Sequence, residues 1–371
     1  MLISVLGGFG SMGSSVVRAL LKYTDSKINI CDRNFLDISQ MFPHGIDRVT
    51  YTRLDAIREE TIPSAISGSS IVINCIGPFY RYGEIIARSV IGAGISGVDI
   101  CNDSNAITSL LALDDEARKR NVTYITSLGF SPGLSNLFAM RAASSLETVE
   151  KVSIGWVSSI DELSGQAQIE HLMYLVNEKV PFYSRRTRTR VDAFSGTEMF
   201  KFPYPVGLKK LSHMGYPEVI TLSEYMDVNE VSVKGGLIPS WTEFLIRAAG
   251  KTGISKDGTV REKVASIFHM TSRYAQFHIR KKNLGNAALR VNVTGIRKGA
   301  RVQISCGTIN KLENLLAYPV VTGAVFLANG EIEVKGVYPP EGCIDEERAL
   351  NWMSRCGLVY TYSEKFLEEG I

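Results

Sequence analysis

Cysteine is sparse and scattered. The six thiols, Cys31, Cys75, Cys101, Cys306, Cys343 and Cys356, include no CxxC pair. That spacing offers neither a disulfide frame nor a zinc site, and it fits reduced thiols of a cytoplasmic protein. Long apolar runs are also missing. Stretches such as Ser70–Ile76 and Val320–Ala328 fall far short of the ~20 residues of a membrane helix. The start, MLISVLGGFG, has no basic segment and no small-residue cleavage site, so a signal peptide is not expected. Charge of one sign is lacking: 41 Lys plus Arg against 38 Asp plus Glu leave a formal net charge of +3. A field that weak does not hold nucleic acid. Disorder is excluded by composition, since 45% of residues are hydrophobic and only 21% charged. With 371 residues the chain has room for two domains and a core that needs no staples.

What is present begins at once. Residues 2–6 form an apolar strand, and Gly7-Gly8-Phe9-Gly10-Ser11-Met12-Gly13 follows, running into a helical pattern with Val16, Val17, Leu20 and Leu21 on one face. This is G-x-G-x-x-G on Gly8, Gly10 and Gly13, between a strand and a helix as a dinucleotide site requires. Gly8 permits the tight turn, Gly10 lets a diphosphate approach bare backbone, and Gly13 lets helix and strand pack closely. Phe9, Ser11 and Met12 complete the loop, whose helix N-terminus offers N–H groups to phosphate. A second strand, Lys27–Cys31, ends at Asp32, about 20 residues beyond the last glycine, where a ribose diol would sit. Asp32 favours NAD. Arg33 beside it suits the 2′-phosphate of NADP, or stacking on the adenine.

Further strands follow at Val49–Leu54, ending at Asp55, at Ser69–Ile76, at 97–100 and at 122–126, with helical patterns over 57–67, 83–94 and 105–120. Six strands alternating with helices predict an α/β fold with a doubly wound parallel sheet. Ligands bind at the carboxyl ends of such strands, so Asn74, Cys75, Gly77 and Pro78 should border the nicotinamide side of the cofactor. Residues 149–337 change character. Val149–Ser158 alternates like a strand, and residues 165–176 look helical. Arg185 to Arg190 form a basic strand-like run. The prolines at 203, 205 and 217 break the chain, and 288–294 with 301–305 suggest a hairpin. The boundary between domains should fall near 133–150.

The segments GGFGSMG (7–13), VINCIGPFYRYGEIIARSVIGAGISGVDICND (72–103) and SLGFSPGLSN (127–136) together resemble the saccharopine dehydrogenase-like family, which includes saccharopine reductases and lysine 6-dehydrogenases. The stretch 323–359 is similar to the family's closing segment. The resemblance implies a Rossmann domain over 1–135 and a mixed α/β domain for substrate binding and dimerisation over 136–337. A C-terminal segment, 338–371, would pack back on the first domain. It implies NAD(P)-dependent hydride transfer at a C–N bond of an amino-acid-like substrate. Two positions depart from the saccharopine reductase pattern. Ser131 stands before the Pro132-Gly133 turn in place of an acid, and Phe79 follows Pro78 in place of a tyrosine. Both turn the expectation away from saccharopine itself, and the Pro132-Gly133-Leu134-Ser135-Asn136 turn looks closer to the lysine 6-dehydrogenase branch.

Amine oxidation needs a base for the nitrogen and a dry, ordered site for the hydride. Tyr80 in the nicotinamide loop is a candidate for contact with substrate, with a packing aromatic as the alternative. Asp99 ends a strand and is either a site carboxylate or a loop cap. His171 is the histidine best suited to proton transfer near neutral pH, although a lone helical histidine is more often structural. Arg185 offers a fork for a substrate carboxylate, and Asn136 sits at a helix start that suits an anion. No metal site is expected, and the expected partners are a small-molecule substrate and a second copy of the chain. Two other function classes remain open: a nucleotide-binding homologue without turnover, and a homospermidine-synthase-like transferase that uses NAD transiently.

Overall fold

The computed structural model describes residues 1–159, 176, 178–238 and 286–367. The expected helix that carries His171, and the stretch over 257–283, lie outside the described residues. The chain forms two compact units. One comprises Met1–Leu134 and Glu313–Gly357, the other Ser135–Leu312 and Leu358–Ile371.

The first unit is built on a seven-stranded sheet. Its strands are β1 (Leu2–Leu6), β2 (Lys27–Asp32), β3 (Val49–Arg53), β4 (Ile71–Asn74), β5 (Ser96–Asp99), β6 (Thr123–Ile125) and, late in the chain, β15 (Gly336–Tyr338). The order β15-β6-β5-β4-β1-β2-β3 reverses direction at β1 and every pairing is parallel. This is the doubly wound Rossmann arrangement that the alternation of strands and helices predicts. The central strands read as unbroken apolar runs because helices cover both faces.

Helix α1 (Ser11–Tyr23) follows the glycine loop, and α2 (Phe79–Gly92) starts four residues earlier than its apolar pattern, directly after Pro78. The helix expected over 105–120 is two, α3 (Ala106–Leu111) and α4 (Asp114–Lys119). The break turns Leu113 into the core and lets Asp114, Asp115 and Glu116 open a new helix at its positive end. Over 57–67 only a short 3₁₀ turn and Ile62–Ala65 are helical.

The second unit contains a mixed sheet. Its strands are β7 (Thr148–Ser159), β8 (Lys179–Ser184), β9 (Thr187–Asp192), β10 (Glu198–Lys201), β11 (Leu208–His213), β12 (Val228–Ile238), β13 (Ala287–Arg297), β14 (Ala300–Asn310) and β16 (Tyr360–Phe366). The main path runs β10-β11-β12-β7-β13-β14-β16, with β12 and β7 parallel and the other neighbours antiparallel. Pro203 and Pro205 lie in the turn between β10 and β11, where no ladder N–H is needed. The hairpin expected at 288–305 is β13–β14, longer at both ends. Helices α5 (Leu134–Ala143) and α6 (Glu218–Tyr225) belong to this half of the chain, and α7 (Leu312–Ala328) leads back into the first unit, where α8 (Glu346–Arg355) also lies. The chain therefore rejoins the first unit at Glu313, earlier than the expected 338. The last strand, β16, pairs with β14 of the second sheet instead of staying with the first unit.

Strand alternation gives the second sheet two unlike faces. One carries Val152, Ile154, Trp156, Val231, Val233, Leu289, Val291, Val293, Ile304 and Cys306, all buried. The opposite face carries Ser153, Gly155, Ser232, Lys234, Arg290, Asn292 and Ser305 in adjoining register.

In the first sheet a tight contact sets the spacing of two strands. Tyr124 is the register partner of Gly97, and its ring lies flat across the glycine. A Cβ on Gly97 would stand 2.9 Å from the ring and 3.1 Å from the Val72 carbonyl oxygen. Gly97→Ala is expected to destabilise the protein by about 1–3 kcal/mol, the usual cost of overpacking, as measured by urea denaturation with intrinsic fluorescence.

Candidate functional site

The glycine loop closes on itself before α1 begins. Gly7 takes the left-handed conformation (φ +74°), so the turn residue is this glycine and not Gly8. Gly8 instead presses on β2, where a Cβ would meet the Ile30 side chain at 2.9 Å. The Gly10 N–H donates to the Gly7 carbonyl (3.0 Å). A Cβ on Gly13 would run into that same carbonyl well inside van der Waals contact, whereas a Cβ on Gly10 would meet only the carbonyl oxygen, at 3.1 Å. Gly13 thus serves helix–loop packing, and Gly10 presents bare backbone. Helix α1 has no side-chain cap and no acid in its first turn. A bare loop at the positive end of a helix is a cradle for a diphosphate, and the residues fit a dinucleotide.

Asp32 ends β2 beside this loop. Its Oδ2 accepts from the Phe9 N–H (3.1 Å), and its Oδ1 accepts from the Asn34 N–H (3.4 Å). The acid therefore ties the loop to the strand end. Arg33 is exposed next to it. Arg53, the register partner of Asp32 on β3, is exposed too. Sequence reasoning missed Arg53, because strand register is not written in the spacing. It also missed an aromatic group. Phe9 packs against Phe35 and Tyr51 with ring centroids 6.1 and 5.7 Å away, and Phe35 remains 60% exposed. An aromatic inside the glycine loop was the available signal. Asp55 lies just past β3, where its carboxylate accepts from the Ile57 N–H (3.2 Å).

Asn74, Cys75, Gly77 and Pro78 follow β4. The Cys75 N–H donates to Leu6 O (2.9 Å), and Asn74 Oδ1 accepts from the Ile76 N–H (3.0 Å). These bonds fix the loop against β1. Burial, and then the nearby Asp99 carboxylate, push the Cys75 thiol up to about 12, so it stays a neutral thiol. Tyr80 is half-buried in the first turn of α2.

Asp99 is the register partner of Asn74 and is wholly buried. Its Oδ1 accepts from the Cys101 N–H (2.9 Å), the Ser127 N–H (2.8 Å) and Thr126 Oγ1 (3.0 Å). One carboxylate thereby clamps the loops after β5 and β6. Burial raises it to about 6, against the pull of the Ser127 and Cys101 N–H groups and the Thr126 and Tyr124 hydroxyls.

The candidates of the second unit are placed differently. Asn136 is fully buried in α5. Its Nδ2 donates to Thr221 Oγ1 (3.3 Å), and its Oδ1 lies 3.3 Å from Ser135 Oγ, which donates to Glu218 Oε1 (2.7 Å). Arg185 stands exposed in the turn between β8 and β9 with φ +51°. His171 lies outside the described residues. Among the described residues no group of three His, Cys, Asp or Glu side chains could hold a metal, and no helix is long and apolar enough to cross a membrane.

Residues 3–125 match the family described as the saccharopine dehydrogenase NADP binding domain. Over this domain the chain is similar to the saccharopine dehydrogenase family. Its fold matches apo saccharopine dehydrogenase (L-Glu forming) from Saccharomyces cerevisiae with a TM-score of 0.70, at 13% identity, over 99% of this chain and 100% of that one. It is also similar to an amine dehydrogenase from Mycobacterium smegmatis, with a TM-score of 0.52 at 10% identity, over 92% of this chain and 96% of that one. The saccharopine dehydrogenase-like fold thus spans the whole chain, and the family match covers the nucleotide domain.

Asp99 generates a pH signature. Its folded value lies above the unfolded carboxylate value of 3.8, so the folded form holds the proton longer. The associated stability is fully present below that lower value and is lost as pH rises through about 6. Asp99→Asn should flatten this loss, on the order of 3 kcal/mol, in denaturation curves taken from acid to neutral pH.

Proposed function

We propose that the protein is an NADP(H)-dependent oxidoreductase that acts at a C–N bond of an amino-acid-like substrate. The observation that carries the cofactor reading is the bare glycine loop at the start of α1, with Arg33 and Arg53 exposed on either side of Asp32. The match of this domain to an NADP-binding family supports it. The expectation from Asp32 alone favours NAD. Asp32, however, already accepts two backbone N–H groups, which offset its charge, and two arginines beside it suit a 2′-phosphate. The reaction class follows from the resemblance carried by the Asn74–Pro78 loop and the Ser131–Asn136 turn. The M. smegmatis amine dehydrogenase, with the same fold, is consistent with it.

When bound, the nicotinamide coenzyme supplies the hydride chemistry. The protein's own work is binding and order. The loop Gly8–Gly13 and the N-terminus of α1 take the diphosphate. Arg33 and Arg53 take the 2′-phosphate, Asp32 the ribose of the adenosine half, and Phe35 offers an exposed face to the adenine. Asn74, Cys75, Gly77 and Pro78 border the nicotinamide side, where Tyr80 donates to or accepts from the substrate. Asp99 does not touch substrate in this scheme. It is a positioning residue that holds the loops after β5 and β6 at the carboxyl edge. His171 remains the candidate for proton transfer and Arg185 a candidate for a substrate carboxylate.

Fluorescence titration should show NADPH binding more tightly than NADH. The double variant Arg33→Ala/Arg53→Ala should lose about tenfold to a hundredfold in NADPH affinity, as expected when charge-assisted bonds are removed, and should change NADH affinity by less than about threefold. Equal losses for both nucleotides would remove the arginines from the 2′-phosphate. Failure of either nucleotide to bind would overturn the cofactor reading.

L-Lysine, L-ornithine, saccharopine and L-glutamate, each with NADP and NAD, should then be followed at the nicotinamide absorbance band. Turnover with one of these amines is the expected result. Phe79 and Ser131, at positions where saccharopine reductases carry a tyrosine and an acid, make saccharopine the poorer candidate. Tight nucleotide binding without turnover on any amine would instead favour a homologue that keeps the coenzyme and has lost the chemistry.

A further inference from the structure

Arg290 lies in the middle of β13, on the polar face of the second sheet. Its register partners on both sides are glycines, Gly155 on β7 and Gly307 on β14. The Phe200 ring fills the space above Gly155. The arginine stem leans the other way, with Cδ 3.3 Å from where a Gly307 Cβ would be. Among the described residues its one hydrogen bond runs from Nε to Asn292 Oδ1 (3.0 Å). That oxygen also accepts from Ser305 Oγ (2.8 Å), which accepts in turn from Gln303 Nε2 (3.3 Å). Thr361 Oγ1 donates to Gly307 O (3.1 Å). The neutral neighbours satisfy one another, and among the described residues the two Nη groups of the guanidinium have no partner.

Among the described residues no carboxylate pairs with Arg290. Among the described residues of the same face, Glu230 is paired with Lys151 (2.8 Å) and Glu198 with Lys234 (2.5 Å). The arginines of this unit that meet acids do so directly: Arg186 with Asp227, Arg188 with Glu224, Arg297 with Glu364 and Arg301 with Glu150. Electrostatics mark the difference. Glu364 pushes Arg297 above the ordinary arginine value, whereas burial pushes Arg290 below it, opposed only by the Cys306 thiol. A half-buried cation without a counter-charge is costly. A guanidinium whose two Nη groups meet no acid among the described residues suits a planar anion.

We propose that Arg290, oriented by Asn292, is a carboxylate-binding site in the second unit. The occupant is a monoanion. Lys151 and Lys234 are already neutralised, so one guanidinium balances one negative charge and a phosphate dianion would leave charge over. The site goes beyond the oxidoreductase reading and is tested without turnover.

Thermal unfolding of the full chain, with propionate, L-glutamate or inorganic phosphate, each against sodium chloride at equal ionic strength, reads the site. Both carboxylates should raise Tm saturably in the parent, and phosphate should do no more than chloride. Arg290→Met should abolish the rise without lowering the Tm of the ligand-free protein, since a partly buried unpaired charge is removed. Arg290→Lys keeps the charge and loses the fork, so its half-saturating concentration should rise about tenfold. Arg290→Gln replaces the methionine variant if that variant does not fold. A parent with no saturable response to either carboxylate, an equal response to phosphate, or an Arg290→Met or Arg290→Gln variant with the parent's half-saturation overturns the assignment. NADPH binding is measured on the same samples. Its retention alongside a negative carboxylate result discards this site alone, and its loss in the parent discards the cofactor reading instead.

Discussion

The Gly7 carbonyl is the point on which the nucleotide half turns. It accepts the Gly10 N–H, and it stands where any side chain on Gly13 would have to go. That crowding forces bare backbone at Gly13. It also brings the first turn of α1 against the end of β1, which places a helix N-terminus at the carboxyl edge of the sheet. The Phe9 N–H then reaches Asp32 and joins the loop to β2. Glycine loop, helix start and Asp32 therefore form one assembly that a single misplaced Cβ would disturb.

A second constraint operates on the other side of β1. Asn74 and Asp99 face each other in register, and Tyr124 reaches them by crossing Gly97. Asp99 collects donors from the loops after β5 and β6, so two strand ends share one buried carboxylate. The cost of enclosing that charge is met by hydrogen bonds, and the residual penalty appears as its raised proton affinity. Its burial explains why a carboxylate at a strand end of a parallel sheet, normally a strong hint of a site residue, here orders loops instead. The second sheet poses the complementary case. Among the described residues Arg290 meets no acid, while its neighbours are satisfied.

The legible part of the fold was the part governed by local pattern. Strand, glycine loop, helix and acid stand in one short run, and the alternation that follows could only be a parallel sheet. Boundaries were blurred where burial overrode propensity. Leu113 splits one expected helix because its side chain belongs in the core, and Pro78 starts α2 before its apolar stripe begins. Arg53 was invisible because nothing in its own neighbourhood refers to Asp32. Asn136 read as a helix-start residue suited to an anion, yet it lies inside a polar cluster with Thr221, distant in the chain.

The sequence by itself determined the α/β class, the dinucleotide loop, the acid at the end of β2 and the family resemblance. These rest on periodicity and on residues within a turn or two of one another. Tertiary structure alone decided which side chains meet across strands: Arg53 beside Asp32, Tyr124 over Gly97, Arg290 between two glycines, and β16 on the second sheet. Register is set by the summed packing of whole faces, since a slip of one residue would turn every apolar side chain outward. No short segment of the chain carries that information.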